Sequence, residues 1–182
     1  KEKNWSTYLF LHERPYRFDA FINLQHRLLQ DGQRLEDEEY FELLGDIWTD
    51  SENLWQVEIL FPLLFNPYGR DLSKRVYMMM ENDRHLLDPH SGDWPIYRGY
   101  CRPRRKRGWS WTTSPQKAVF FAKRFAFDQQ VPCVVKARCD SQNVIAFMNH
   151  RGEKEVIVDP KNVRIVGKVI KDFEAHDWES DI

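Results

Sequence analysis

With 182 residues, 42% of them hydrophobic and 14% aromatic, the chain has material for a packed core, which excludes a disordered polypeptide. No apolar run approaches the ~20 residues of a membrane helix, and Lys1 to Trp5 carries no signal-peptide pattern. The net charge of −1 conceals a division: residues 1–95 sum to −8 and residues 96–182 to +7, so the second half suits an anionic ligand, a dinucleotide or nucleic acid.

In chain order, residues 1–14 are mixed. From Arg17 an apolar stripe of Phe18, Phe21, Ile22, Leu24, Leu28 and Leu29 predicts a helix that stops at Asp31-Gly32. The acidic opening Glu36 to Glu39 favours the start of a second helix, with Tyr40, Phe41, Leu44, Ile47 and Trp48 inside. Ser51 is placed to cap a third, carrying Leu54, Trp55, Ile59 and Leu60 and ended by Pro62. A fourth is expected over 71–87, with Leu72, Val76, Met79, Met80 and Leu87 inside, the methionines as core filler. Residues 1–92 thus read as a helical lobe, closed by the loop Asp88 to Pro95.

Beyond that loop the period changes from helical to alternating. Strands are expected over Ile96–Cys101, Trp109–Thr113, Val131–Cys139, Asn143–Met148, Lys154–Asp159 and Val163–Asp172. Ser114-Pro115 opens one helix, reaching about Phe127, with Ala118, Phe121, Ala122 and Phe125 on one face. Short connections between the late strands favour antiparallel pairing, so the fold class is α+β, residues 93–182 forming a β-rich core. The acidic tail from Glu174 reads as loosely held. Three cysteines without a CxxC indicate neither a disulfide framework nor a zinc site, which leaves reduced thiols and a cytoplasmic setting, with no metal expected. No Walker loop or GxGxxG is present.

The chemistry-bearing stretch is Arg151 to Pro160, a polar entry at Gly152 turning into Val156-Ile157-Val158. Strand alternation puts Glu153 and Glu155 on one face and Lys154 on the other. Two carboxylates on one face suit either an exposed strand start or a cleft where positive charge develops in a reaction. An earlier strand supplies Tyr97-Arg98-Gly99, and another supplies Ser110-Trp111-Thr112-Thr113-Ser114 ahead of a helix.

In this order, Arg98, the hydroxyl run and Glu153-Lys154-Glu155 resemble the ADP-ribosyltransferases of the Arg–Ser–Glu type, over residues 95–170. The resemblance implies a split β-sandwich core with an NAD cleft, NAD as substrate, and Glu155 as the carboxylate that stabilises the oxocarbenium-like ribose left by nicotinamide. Ser110 or Thr112 would orient Glu155; both registers stay open, since Ser110, Thr112 and Ser114 share a strand face. Arg98 has the planar fork suited to a pyrophosphate. Tyr97, Gly99, Thr113, Ser114 and Phe121 fill the remaining NAD-contact positions. Glu153 would orient or deprotonate the acceptor, an E-x-E start leaning to protein arginine. A bacterial or phage effector or toxin, with an antitoxin or immunity partner, is the biology that the resemblance implies.

Two other readings of the same residues remain. One keeps the site but uses a nucleic-acid base or water as acceptor, with Arg104, Arg105, Lys106 and Arg107 contacting phosphates. The other is a non-catalytic module that keeps the fold and binds RNA or protein.

Overall fold

The structure is a computed structural model that describes residues 4–51, 54–87, 92–103, 106–124, 126–127, 130–149 and 151–178. Arg104, Arg105 and Phe125, and the first half of the expected boundary loop, residues 88–91, lie outside the described residues. The chain divides into two compact units, Lys1–Glu81 and Asn82–Ile182. Helix dominates the first and antiparallel sheet the second, an α+β protein.

In the first unit, α1 (Trp5–Phe10) begins at Asn4, whose side chain accepts the Thr7 N–H at 2.9 Å. Helices α2 (Arg17–Gln30) and α3 (Asp37–Asp50) fall where the apolar stripes place them. Phe21, Phe41, Leu44 and Ile47 are fully buried; Leu29, assigned to the α2 stripe, is exposed.

The third expected helix is broken up. Ser51 terminates α3 in extended conformation, and Leu54–Gln56 and Glu58–Leu60 are separate 3-10 turns. The α-helix resumes only as α4 (Phe61–Phe65). Pro62 therefore opens a helix instead of ending one, because a first-turn residue needs no N–H partner. The fourth expected helix is also two 3-10 segments, Leu72–Met78 and Glu81–Leu86, interrupted at Met79 with an extended ψ of 151°. Leu72, Val76 and Met79 are spaced four and three apart, as on an α-helix, so the stripe itself carries no sign of the 3-10 form. The buried pair is the adjacent Met78 and Met79, while Met80 is exposed.

Arg70 organises the loops of this unit. Its guanidinium donates to the Leu35 carbonyl at 2.9 Å, Asp37 at 2.8 Å and Gln25 at 3.2 Å, and lies 4.0 Å from the centre of the Tyr40 ring. Burial pushes the Tyr40 phenol up to about 12, keeping it a neutral donor to the Leu64 carbonyl. The Asp71 N–H first, then Arg70, hold the Asp37 carboxyl below the ordinary aspartate range. A lowered carboxylate stabilises the fold at pH above its ordinary value of 3.8, and the contribution disappears as pH falls through the lowered value. Arg70→Met should therefore destabilise the first unit by about 2 kcal/mol at neutral pH. Asp37→Asn should flatten the acid limb of a denaturation series; an unchanged acid limb would relieve Asp37 of this role.

The second unit is one six-stranded antiparallel sheet in the order β4-β5-β2-β1-β3-β6. Its strands are β1 (Asp93–Arg102), β2 (Ser110–Thr112), β3 (Val131–Asp140), β4 (Val144–Met148), β5 (Glu155–Val158) and β6 (Arg164–Ile170). The long ladder of β1 and β3 pairs ten residues of each strand. By contrast, β1 and β2 are paired only where Tyr97 meets Thr112. The sheet thus almost parts between β1 and β2, with β4-β5-β2 on one side and β1-β3-β6 on the other.

Helix α5 (Pro115–Arg124) lies across β1. Ala118, Ala122, Tyr97 and Val134 form a buried cluster, and Cys101 donates its thiol to the Ala122 carbonyl. Gly99 permits this contact, since a Cβ there would overlap the Ala118 carbonyl oxygen. The tail is not loose through Trp178. Phe173 and Trp178 pack on the same cluster, and the Trp178 indole donates to the Phe173 carbonyl at 3.2 Å. Two aromatic residues supply the buried surface that the acidic composition hides.

Candidate active site

Sheet order assembles the site. With β5 beside β2 and β2 beside β1, Glu155, Ser110 and Arg98 meet although 45 residues separate the first two and 12 the last two. Glu155 stands opposite Thr112, Thr112 opposite Tyr97, and Tyr97 opposite Lys136. Directly paired residues share a sheet face, and so do residues two apart. Glu155, Ser110, Thr112 and Tyr97 therefore lie on one face.

On that face the Ser110 hydroxyl donates to Glu155 Oε1. Thr112 is engaged elsewhere: its hydroxyl donates to the Glu153 carbonyl at 2.7 Å and accepts the Ser114 N–H at 3.1 Å. Ser110 is therefore the hydroxyl that orients Glu155, and Thr112 holds the turn into β5. That turn is fixed again where the Thr113 N–H meets the Lys154 carbonyl at 3.1 Å.

Arg98 starts from the opposite face, one residue on from Tyr97. Its Nη1 reaches β2 beyond the single Tyr97–Thr112 pair and donates to the Ser110 carbonyl. A side chain thus joins β1 to β2 where the ladder has ended. Gly108 makes room for it, since a Cβ there would stand 2.6 Å from the guanidinium carbon. The Trp111 indole, fully buried, donates to the Gly108 carbonyl at 2.7 Å and fixes the backbone that borders Arg98. On Arg98's side of the sheet, burial raises the Tyr100 phenol above its ordinary value, so it stays neutral.

Glu153 differs from the strand-based expectation. Strand β5 begins at Glu155, and Lys154 has φ +49°, in the left-handed region. A left-handed residue breaks the pleat, so alternation does not put Glu153 and Glu155 on one face. Ser114 likewise belongs to the helix, not the strand: it caps α5, its carbonyl accepting the Ala118 N–H at 3.1 Å and its hydroxyl the Lys117 N–H at 3.3 Å.

Of the residues expected to contact a dinucleotide, Tyr97 is 2% exposed beneath Trp178 and α5, and Gly99 faces α5. Thr113 and Ser114 are half-buried at the β2–α5 junction, and Phe121 is half-buried with its ring 5.4 Å from Phe120. Lys106 and Arg107 are exposed, and Arg107 donates to the Pro160 carbonyl at 3.2 Å. The Cys139 thiol, pushed up to about 12 mainly by burial, is not a nucleophile.

Sequence reasoning missed three features of the site: the Arg98 bridge across the sheet gap, the Trp111 brace, and the cover that Trp178 puts over Tyr97. The tail aromatics were the available signal for the last. Among the described residues, no helix is long and apolar enough to cross a membrane. No family model, curated protein or solved structure matches the chain, so a functional reading rests on this geometry.

Proposed function

We propose that this chain is a mono-ADP-ribosyltransferase that uses NAD as its substrate. The observation that carries the reading is the line Arg98–Ser110–Glu155, in which a hydroxyl holds a carboxylate and a guanidinium holds the backbone of that hydroxyl. In the reaction, the bond from nicotinamide N1 to ribose C1′ breaks and its electron pair leaves with nicotinamide, discharging the pyridinium. The ribose becomes oxocarbenium-like. A fixed carboxylate beside it stabilises that charge without reorganising, usually the largest single catalytic effect. Glu155 fills this role, and Ser110 keeps its Oε1 in place. Arg98 brings positive charge to the same strand pair, suited to the diphosphate.

The acceptor nucleophile then attacks C1′, and Glu153 takes its proton. Arginine is the favoured acceptor, because a carboxylate pairs with a guanidinium and can take the nitrogen's proton as its bond to C1′ forms. Water as acceptor, which makes the protein an NAD glycohydrolase, has one observation in its favour. The segment before Glu153 is a tight turn closed by the Gly152 N–H on the Asn149 carbonyl at 2.7 Å, and offers little surface to grip a macromolecule.

Labelled NAD incubated with the chain and whole-cell lysate separates these outcomes. Label in nuclease-resistant protein is the expected result. Label in nuclease-sensitive material means a nucleic-acid acceptor, free ADP-ribose alone means hydrolysis, and no nicotinamide release means a binding module. Glu153→Gln should lower transfer to the acceptor about 10-fold, one charged hydrogen bond, while NAD hydrolysis stays near wild type. Equal losses of both activities would assign Glu153 to bond cleavage or to the fold.

A further inference from the structure

The second unit holds a recess of about 400 Å³ that the candidate active site does not use. Lys136, Lys168, Lys171, Asp172, His176 and Val166 line it. Two features of the backbone build it. First, the register between β3 and β6 slips: Val134 faces Ile170 while Lys136 faces Val166, so β6 spends two more residues than β3 over this stretch. Gly167 sits in the irregularity with φ +74°, a conformation other residues rarely adopt. Such a bulge bends a strand and re-aims its side chains. Second, the chain folds back after β6, and Phe173 and Trp178 anchor it on the Tyr97 cluster. That anchoring brings Lys171 and His176 to the same recess as Lys136.

A competing explanation is edge protection. β6 ends the sheet among the described residues, and lysines and bulges on edge strands block pairing with other chains. That accounts for Lys168 and Gly167. Edge protection does not cover Lys136, which lies on the inner strand β3, or Lys171, which lies beyond β6 beside His176, whose ring packs 4.5 Å from that of Trp178. Three lysines and a histidine line the recess against one acidic residue, Asp172, whose Oδ1 accepts the Ala175 N–H at 3.2 Å. The volume suits a small ligand or one unit of a larger one.

We propose that this recess binds a phosphate-bearing ligand, with Lys136, Lys168 and Lys171 as its donors. An ammonium is a compact charge with three donors, suited to a tetrahedral oxyanion. Val166 and the neighbouring apolar part of β6 offer a surface for the sugar or ring attached to that phosphate. Lys136 is three strands from Glu155 in the same row, roughly 14 Å at the usual strand spacing. At that distance the recess does not touch a bond broken at Glu155. It is a separate anchoring site, and the inference holds whether or not the chain transfers ADP-ribose.

The test follows the His176 ring signal in nitrogen-correlated NMR spectra of the full chain, assigned with His176→Asn. Inorganic pyrophosphate and a thymidine octanucleotide are titrated separately. The expected result is a saturable shift, with affinity weakened at least ~30-fold in Lys168→Ser/Lys171→Ser, two charged hydrogen bonds lost. Glu155→Gln should bind as wild type. Saturation by pyrophosphate assigns the site to small phosphorylated molecules. Binding of the octanucleotide alone, with a steep salt dependence, assigns it to a strand backbone. Lys168 and Lys171 are exposed, so their replacement leaves the packing intact, and Lys136→Gln provides an independent variant. A His176 signal unmoved by both probes, or affinity unchanged in the double variant, overturns the proposal.

Discussion

Nicotinamide release from NAD is expected to fall at least ~100-fold in Glu155→Gln, the scale of losing one preorganised electrostatic stabiliser. Glutamine has nearly the same shape and keeps an oxygen that accepts from the Ser110 hydroxyl, so the Ser110–Glu155 contact survives. Only the negative charge is removed. Glu155 is half-buried at the head of β5, so water screens that charge less than at the surface. Melting temperature and NAD affinity should therefore stay close to wild type while turnover collapses. Ser110→Ala is the milder companion. It leaves the charge but frees its orientation, and about 10-fold is expected, one charged hydrogen bond. Release of nicotinamide by Glu155→Gln at nearly the wild-type rate would remove Glu155 from the chemistry.

The site shows which links run from sequence to structure. Carboxylate, hydroxyl and guanidinium are residue types, and their positions near strands follow from β-branched runs bounded by turn residues. All six strands were placed on that basis within three residues of their ends. Which hydroxyl meets Glu155 depends instead on the register of β2 against β5. Register is a pairing of residues far apart in sequence, and no local pattern carries it. The same holds for Arg98, whose reach to Ser110 exists only because the β1–β2 ladder stops after one pair. The facing of Glu153 does not follow from strand alternation, for a local reason: the left-handed backbone of Lys154, which a lysine does not announce. In the helical unit, α2 and α3 were readable because a long apolar stripe accumulates evidence over fourteen residues each. The stretches 54–60 and 72–86 are instead broken, at Val57 and at Met79-Met80, into runs of three to seven residues, too short for any one run to fix its period.

Arg98→Lys separates a clamp on the dinucleotide from a brace within the sheet. The guanidinium donates from Nη1 to the Ser110 carbonyl, and Ser110 in turn holds Glu155. Lysine keeps the positive charge but loses the planar fork, so it cannot hold a carbonyl and a diphosphate in fixed geometry together. As a clamp alone, Arg98 would govern NAD affinity and leave the turnover of bound NAD intact. As a brace it also governs where the Ser110 hydroxyl points, and with it Glu155. The expected result is both: NAD binding weakened about 10-fold and turnover at saturating NAD lowered about 10-fold, one charged hydrogen bond in each case. Together they give a loss of about 100-fold in kcat/KM. Calorimetry reads the first number and nicotinamide release the second. Adding Ser110→Ala to Arg98→Lys tests the brace directly. If Arg98 acts on turnover through Ser110, the second substitution should cost much less than it does alone, since coupled residues are not additive. Full additivity of the two losses in turnover would show that Arg98 does not work through Ser110, and unchanged NAD affinity would leave it purely a brace.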